Sequence, residues 1–208
     1  MSGAMAEPLR QALLDVREHD DALEFLDFHH VSAEGLDFSE LTCIQVTFHA
    51  CRFTGCDFSK AGFYNCAFTD CQFADCRFFA SFWKQSRITG CKGDGGDFRR
   101  SRMKECALTG GVFRYANFTN TVWDRTAITG CNFTESVFSE SKISKTTVKS
   151  TDFTGVDFFR TSLKGCDLSS CTLDRIALSE TCAELKGARI DASQAAVVAR
   201  ILGIEVAE

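Results

Sequence analysis

A phenylalanine stands at every fifth position between Phe48 and Phe78. The same register runs from Phe28 to Leu178 without insertion or deletion, and it holds sixteen of the twenty phenylalanines and both tryptophans. Neither the 3.6-residue period of a helix nor the two-residue alternation of a strand produces this spacing. The period predicts a chain that turns one corner per repeat, with the large residue pointing inward.

Small residues occupy the position two before each large residue, and ten of the twelve cysteines lie there. We interpret these cysteines as small buried apolar residues rather than as disulfide partners. A metal site is the alternative, because five of them fall in one column of the coil: Cys51, Cys71, Cys91, Cys131 and Cys171. Parallel side chains in a column do not converge on one ion, so we predict no metal and no other cofactor.

Residues twenty positions apart share their character, which indicates four repeats per coil. One of the four columns consists of phenylalanine alone, and we expect it to form the structural core: Phe38, Phe58, Phe78, Phe98, Phe118, Phe138 and Phe158. Successive coils pair as parallel strands about 4.8 Å apart.

The five-residue unit, as in Cys56-Asp57-Phe58-Ser59-Lys60, resembles the pentapeptide-repeat family over roughly residues 28–180. This resemblance implies an all-β solenoid, a right-handed, four-sided parallel β-helix. It also implies a protein without an active site, and the faces of a solenoid offer no cleft in which an acid, a base and a nucleophile converge. We therefore predict that the chain is not an enzyme.

Each end of the repeat carries a candidate helix. We read Met1–Ala4 as an appended leader, and the apolar spacing from Glu7 to His19 predicts a helix that caps the open end of the solenoid. The expected units are residues 1–22 for the leader and capping helix, 23–186 for the β-helix, and 187–208 for a C-terminal helix and dimerisation module.

The C-terminal segment begins with a capping box, Asp191-Ala192-Ser193-Gln194, and Gly203 is suited to end the helix. The segment is similar to the C-terminal module of Qnr-type and mycobacterial fluoroquinolone-resistance proteins, which implies a homodimer. Capping of a monomer is the alternative. The residues expected to form the dimer contact are Ala195, Val198, Ala199, Leu202, Ile204 and Val206.

Four aspartates precede phenylalanines of the all-Phe column: Asp37, Asp57, Asp97 and Asp157. A column of carboxylates on a rod can imitate the phosphates of duplex DNA. The alternative is that aspartate is simply the structural residue of this position. The family resemblance implies a DNA-mimicking partner of DNA gyrase or topoisomerase IV that protects the enzyme from quinolones.

A second hypothesis is a general scaffold for an unrelated protein partner. Its contact sites would be a possible loop, Gly93, Asp94, Gly95 and Gly96, or the pair Phe79 and Phe82 outside the inward positions. Gly93 replaces a large inward residue, so a local bulge or distorted corner is expected there. The pair His29-His30 is expected to be a solvated surface feature.

Charge is unevenly distributed within a net charge of -5. Residues 1–80 hold 13 acidic and 5 basic residues, and residues 81–149 hold 12 basic and 6 acidic ones. The arginines of this middle region are dispersed along the sequence, so we interpret them as solvated and do not expect direct nucleic-acid binding. No apolar run is long enough to span a bilayer and we see no signal peptide, which predicts a cytoplasmic protein.

Overall fold

The computed structural model describes residues 7–19 and 21–207. A helix, α1 (Glu7–His19), precedes a parallel β-helix, and a short 3₁₀ helix (Ala183–Leu185) and α2 (Ala192–Ile201) follow it. The leader proposed for Met1–Ala4 lies outside the described residues. The all-β solenoid with a short helix at each end confirms the predicted fold class.

The coil has four sides, and two of them are seven-stranded parallel sheets. Side 1 consists of β1 (Leu23–Glu24), β4 (Thr42–Ile44), β7 (Gly62–Tyr64), β10 (Phe82–Lys84), β12 (Arg102–Lys104), β14 (Val122–Asp124) and β16 (Lys142–Ser144). Side 2 consists of β2 (Asp27–His29), β5 (Thr47–His49), β8 (Ala67–Thr69), β11 (Arg87–Thr89), β13 (Ala107–Thr109), β15 (Ala127–Thr129) and β17 (Thr147–Lys149).

The other two sides are held largely by single parallel bridges. Side 3 starts as a three-stranded sheet of β3 (Ser32–Glu34), β6 (Arg52–Thr54) and β9 (Gln72–Ala74), and continues through bridges from Lys92 onward. Side 4, the all-Phe column, is bridged from Asp37 to Ala177. Neighbours on every side are twenty residues apart, as the sequence predicts.

The chain turns at the last residue of each repeat, which has a positive φ at every corner from Phe25 to Gly165. Most of these residues are not glycine, although a positive φ disfavours other residues. The amide of the corner residue donates to a carbonyl in the next coil, as His30 N does to His49 O at 2.9 Å. The coil-to-coil hydrogen bond therefore offsets the cost of the left-handed corner.

Aromatic rings stack along the inside of side 4. The centroid distance is 4.4 Å between Phe38 and Phe58 and 4.8 Å between Phe58 and Phe78, with nearly parallel planes. All seven phenylalanines of this column are buried. Their rings also meet those of neighbouring sides edge-on, as Phe58 meets Phe53 at 5.4 Å, so stacking and edge contacts fill the interior.

The C-terminal end of the coil is closed by a segment that departs from the twenty-residue spacing. Leu163 N donates to Glu184 O and Leu168 N donates to Arg189 O, so the chain after Leu178 still pairs with the preceding coil. The buried carboxylate of Glu184 accepts from Arg160 N at 2.9 Å and from the Ser179 hydroxyl at 2.8 Å. The buried carboxylate at this end of the solenoid therefore has hydrogen-bond donors.

Candidate interaction surfaces

The four predicted acidic residues share one column on side 4, but the column is not continuously acidic. Its order along the rod is Asp37, Asp57, Arg77, Asp97, Asn117, Val137 and Asp157. A cation and two neutral residues therefore separate the carboxylates. Only Asp37 and Asp57 are immediate acidic neighbours.

Each of these carboxylates accepts a hydrogen bond from the backbone two residues later. Asp37 and Asp57 accept from Ser39 N and Ser59 N, both at 2.8 Å. Asp97 accepts from Arg99 N at 3.1 Å, and Asp157 from Phe159 N at 2.8 Å. Asn117 accepts from Thr119 N in the same way, at 2.9 Å. An uncharged Asn makes the same hydrogen bond as Asp, and Arg77 and Val137 occupy the position without making it, so the turn does not require a charge here.

Two of the four carboxylates are paired with arginine. Arg17 on α1 lies 3.1 Å from Asp37, and Arg99 lies 2.8 Å from Asp97. Hydrogen bonds from Ser39, with the charge of Arg17, hold the pKa of Asp37 below its ordinary value. The pKa of Asp97 is lowered mainly by the Arg99 side chain. Within the described chain, Asp57 and Asp157 form no ion pair.

The segment Gly93–Gly96 is a regular part of the coil, so the expected bulge is wrong. The bridges from Gln72 to Lys92 and from Lys92 to Val112 keep the twenty-residue register. The ring of Phe113 occupies the space of the missing side chain, since a Cβ on Gly93 would lie 3.0 Å from it. A phenylalanine from the next coil replaces the absent large residue, and the backbone has no reason to distort.

Asp94 is engaged within the same side. Its carboxylate accepts from Arg114 N at 2.9 Å and from the Arg114 guanidinium at 2.5 Å. The four residues Gly93–Gly96 thus contribute a smooth surface and one ion pair. Their role as a partner contact stays a prediction.

Phe79 and Phe82 lie on neighbouring sides of one coil in the middle of the rod. The guanidinium carbons of Arg99 and Arg100 lie 5.8 and 5.7 Å from the centroid of the Phe79 ring. Phe82 contacts Tyr64 in the coil before it, with ring centroids 5.6 Å apart. Both phenylalanines are half-buried. They combine partly accessible aromatic surface with adjacent cations.

The helix α2 rests on the last coil through a polar contact. Its capping box is present, and the buried amide of Gln194 donates to Leu168 O at 2.8 Å and to Cys171 O at 2.6 Å. Sequence patterning identified Gln194 only as a capping residue, because its two carbonyl partners lie more than twenty positions away. The helix ends as expected, with Gly203 at φ 77° and Ile204 N donating to Ala199 O.

The apolar residues of the C-terminal segment are left largely outside the core. Within the described chain, no residue of α2 belongs to the hydrophobic core or packs against it. Ala195 is exposed, and Val198 and Ala199 are half-buried. The exposed fraction is 48% for Leu202, 55% for Ile204 and 37% for Val206. This surface is apolar and has no intramolecular cover.

Three histidines gather at one corner near α1. The ring centroid of His49 lies 5.6 Å from that of His29 and 5.9 Å from that of His30. The pair His29-His30 is exposed, and the coil brings His49 beside it. In the described ranges, no group of three or more His, Cys, Asp or Glu side chains is placed to hold a metal ion. Neither helix of the same ranges is long and apolar enough to cross a membrane.

Comparison with solved structures identifies the same architecture elsewhere. A trypsin-treated variant of QnrB1, described as a plasmid-mediated fluoroquinolone resistance protein, superposes with a TM-score of 0.61 at 23% identity, covering 89% of this chain and 98% of QnrB1. Full-length QnrB1 gives a TM-score of 0.50 at 21% identity, covering 88% and 98%. At these identities the likeness concerns the fold.

The sequence comparisons identify the repeat. No curated protein sequence matches the chain. The model of the family described as pentapeptide repeats matches residues 37–78, 112–148, 124–155 and 138–175, with eight copies. These matches cover about half of the sequence and coincide with the coils of the β-helix. The chain is therefore a member of the pentapeptide-repeat family.

Proposed function

We propose that this protein binds a type II topoisomerase, DNA gyrase or topoisomerase IV, on the surface that the enzyme uses for DNA. The observation that carries the proposal is the likeness of the whole rod to QnrB1, which is described as a fluoroquinolone resistance protein. The family resemblance implies that such rods act by imitating duplex DNA. In this proposal the protein binds the topoisomerase through its shape and charge and catalyses no reaction.

The acidic half of the rod supports this proposal better than the complete column does. Residues 1–80 carry the excess of acidic residues, and Asp37 and Asp57 lie there as neighbours. Asp97 lies beyond Arg77 in the basic middle region, and Asp157 lies in the last part of the chain, where residues 150–208 hold 9 acidic and 6 basic residues, a smaller excess than in residues 1–80. We therefore place the principal topoisomerase contact around Asp57, with Asp97 and Asp157 as weaker contributors.

We also propose that two copies associate through the C-terminal segment. The support is the apolar surface of Ala195, Val198, Ala199, Leu202, Ile204 and Val206, which is not packed against the core. Burial of apolar area contributes about 25 cal/mol per Å². A symmetric contact of this patch with its copy covers the exposed side chains and extends the rod end to end.

Supercoiling by gyrase tests the first proposal. Purified protein is titrated into the reaction with and without a quinolone, and we expect inhibition of supercoiling, or rescue from the drug, at micromolar concentration or below. The decisive variant changes Asp37, Asp57, Asp97 and Asp157 to Asn. Because Asn117 makes the same turn hydrogen bond, this variant removes charge and keeps the turn.

A matched control removes the same number of charges from the other sides, by changing Asp124, Asp152, Asp167 and Asp174 to Asn. The proposal requires that the side 4 variant loses its effect on gyrase and that the control retains it. Equal loss in both variants would mean that only net charge matters. A well-folded protein without any effect on either topoisomerase would refute the proposal.

Light scattering tests the association. We expect a dimer of the unchanged chain and a monomer of the Leu202→Glu/Ile204→Glu variant, whereas Ala192→Glu, at an exposed residue of α2 outside the patch, leaves the dimer intact. A monomeric unchanged chain at micromolar concentration contradicts the proposal. In that case the segment closes the end of a single rod.

A general scaffold remains the second candidate. It is favoured by Phe79 and Phe82, which present partly accessible aromatic surface in the middle of the rod. A protein partner whose capture is lost on Phe79→Ala/Phe82→Ala and unaffected by the side 4 variant would select this hypothesis over the topoisomerase.

A further inference from the structure

Basic residues cluster at one corner in the middle of the rod. The stretch from Phe98 to Lys104 has four outward side chains, and all are basic: Arg99, Arg100, Arg102 and Lys104. The pairing of β10 with β12 places Lys84 directly beside Lys104. These arginines are exposed, as expected of solvated side chains, but they are not dispersed, since Arg99, Arg100 and Arg102 lie within four positions and coil pairing adds Lys84 beside Lys104.

Most of these cations form no ion pair within the described chain, although Asp124 is the register partner of Lys104 on the side away from Lys84. Arg99 is paired with Asp97, and elsewhere Arg114 is paired with Asp94 and Arg125 with Glu105. By contrast, the described residues provide no ion pair for Lys84, Arg100, Arg102 or Lys104. Like charges on neighbouring strands repel each other. We call these four residues the basic belt.

Aromatic rings border the basic belt on the coil before it. Arg100 lies over the ring of Phe79 at 5.7 Å, and Phe82 is the register partner of Arg102. Both rings are half-buried, so one part of each is packed and another is accessible. Cations interleaved with accessible aromatic rings are the usual composition of a surface that binds single-stranded nucleic acid, where the rings stack on bases and the cations contact phosphates.

We propose that the basic belt, with Phe79 and Phe82, binds single-stranded nucleic acid. Arginine favours phosphate through its planar, forked donors. Alternate residues of an extended strand are about 6.6 Å apart, so Arg102 and Lys104 of β12 are spaced in this way, and Arg100 continues the row at the corner before the strand. A flexible strand follows this line around the corner of the rod, and its unpaired bases reach the rings. A stiff duplex meets the convex corner at fewer points and keeps its bases stacked.

This proposal is independent of topoisomerase binding, since it concerns a different part of the surface and the opposite charge. The basic belt lies in the middle of the rod, whereas Asp37 and Asp57 lie toward α1. Failure of one proposal leaves the other standing.

Fluorescence anisotropy of a labelled oligothymidylate of roughly 20 nucleotides tests the proposal with the full chain. We expect a micromolar dissociation constant at about 50 mM salt. Three phosphate contacts to a single strand predict roughly 20-fold weaker binding at about 200 mM salt. Failure to bind more tightly than about 100 μM at the lower salt concentration overturns the proposal.

Two triple variants separate the site from net charge. Arg100→Glu/Arg102→Glu/Lys104→Glu is expected to weaken binding at least ~10-fold. The control, Lys142→Glu/Lys145→Glu/Lys149→Glu, makes the same change in net charge at exposed residues without a flanking aromatic pair, and its binding stays within about threefold. Equal weakening in both variants refutes the basic belt as a site. Circular dichroism and thermal unfolding establish that both variants are folded.

Two further measurements define the ligand class. Phe79→Ala/Phe82→Ala is expected to weaken oligonucleotide binding at least ~5-fold without changing its salt dependence, because stacking and not charge is lost. A duplex of the same length should bind more weakly than the single strand. Tighter duplex binding, or displacement of the oligonucleotide by polyglutamate at equal charge concentration, excludes this ligand and points to duplex DNA or to an acidic protein respectively.

Discussion

The two halves of the rod fill the same inward positions with different chemistry. In the half nearer α1, five of the six small inward positions from 51 to 76 are cysteine, and in the other half seven of the nine from 121 to 161 are serine or threonine. The large inward residues of side 2 change from phenylalanine to aliphatic residues at Ile88. Register and coil spacing are nevertheless constant throughout.

The column that contains Cys66 and Ser86 shows why cysteine and serine can replace each other at the small inward position. Cys66 Sγ lies 3.4 Å from Cys43 O, the carbonyl 23 residues earlier. In the next coil Ser86 Oγ donates to the equivalent carbonyl, Phe63 O, at 3.1 Å. A weak thiol donor and a stronger hydroxyl donor thus serve one backbone acceptor. This position therefore requires a small side chain that can donate a hydrogen bond, and either a thiol or a hydroxyl meets the requirement.

Burial raises the thiol pKa of most cysteines at this position, whereas a hydrogen bond with Cys76 lowers the pKa of the Cys56 thiol to about 7. Burial raises the pKa of the Cys106 thiol to about 11, and the pKa of Cys66 is raised by the same cause. A thiol that stays protonated is a poor nucleophile and a poor metal ligand. The cysteine-rich half is therefore held by packing, as the serine- and threonine-rich half is.

The largest expected difference between the halves concerns their large inward residues. Phe58 is fully buried between two parallel rings, and Leu168 is buried in the last coil. Phe58→Ala is expected to cost about 3–5 kcal/mol, and Leu168→Ala about 2–4 kcal/mol. Urea unfolding followed by tryptophan fluorescence and circular dichroism measures both. A smaller loss for Phe58→Ala than for Leu168→Ala would show that the aromatic stack is not the more strongly packed half.

The second-largest expected loss of stability concerns the contact between α2 and the last coil of the β-helix. Gln194→Ala leaves Leu168 O and Cys171 O without their donor, which costs about 1–3 kcal/mol. Because the loss is local, hydrogen exchange of the last coil should accelerate while exchange around Phe58 stays unchanged. Ser193→Ala, on the exposed side of the same turn, is the control and should have little effect. Equal acceleration at both ends of the rod would contradict a local role.

Glu184, at the same end of the rod, is expected to make the stability of the protein depend on pH. Burial alone raises the pKa of Glu184, but hydrogen bonds from its own backbone and from Arg160 and Ser179 outweigh burial, so the pKa lies below the ordinary value of 4.5. A carboxyl with a lowered pKa stabilises the fold above its unfolded pKa, and this contribution is lost as the pH falls through the folded pKa. Glu184→Gln should therefore be less stable than the unchanged chain by about 1–2 kcal/mol at neutral pH.

This difference should be constant between about pH 6 and 7 and should shrink below about pH 4, where the native carboxyl also becomes protonated. Thermal unfolding across this range measures it. A difference that stays constant to pH 3 would mean that Glu184 acts through its shape and not through its charge.

The sequence predicts the solenoid because each repeat has the same kinds of residue at the same positions. Phe58 and Cys56 are recognisable as inward residues from their spacing alone, and columns twenty residues apart define the four sides. The C-terminal capping box is equally local, since Asp191 and Gln194 are three residues apart. These features depend on spacing within one coil or one turn.

What the sequence does not reveal depends on neighbours in other coils. Arg17 reaches Asp37 across twenty positions, and the ring of Phe113 fills the space at Gly93 from the next coil. The basic belt is only partly visible in a linear reading, since Arg100, Arg102 and Lys104 are close in the sequence but Lys84 joins them only through coil pairing. Surface charge and cavity filling are properties of columns, so they require the register before they can be assigned.

The smallest predicted effect compares three successive coils of side 1. Trp83 Nε1 donates to Ser81 Oγ at 2.9 Å, and Trp123 Nε1 donates to Thr121 Oγ1 at 2.8 Å. The coil between them has Met103, which has no donor, and the buried hydroxyl of Ser101 has no hydrogen-bond partner within the described chain. A buried hydroxyl without a partner is destabilising.

Ser101→Ala is therefore expected to stabilise the protein by roughly 0.5–1 kcal/mol, whereas Ser81→Ala destabilises it by about 1 kcal/mol because Trp83 loses its acceptor. The two variants remove the same atom from equivalent positions, so the sign of the change in the free energy of unfolding isolates the indole hydrogen bond. Destabilisation by both variants would mean that the Ser101 hydroxyl is satisfied in solution. The hydroxyls of Ser81 and Ser101 would then stabilise side 1 through their own packing, and not by accepting a hydrogen bond from a tryptophan.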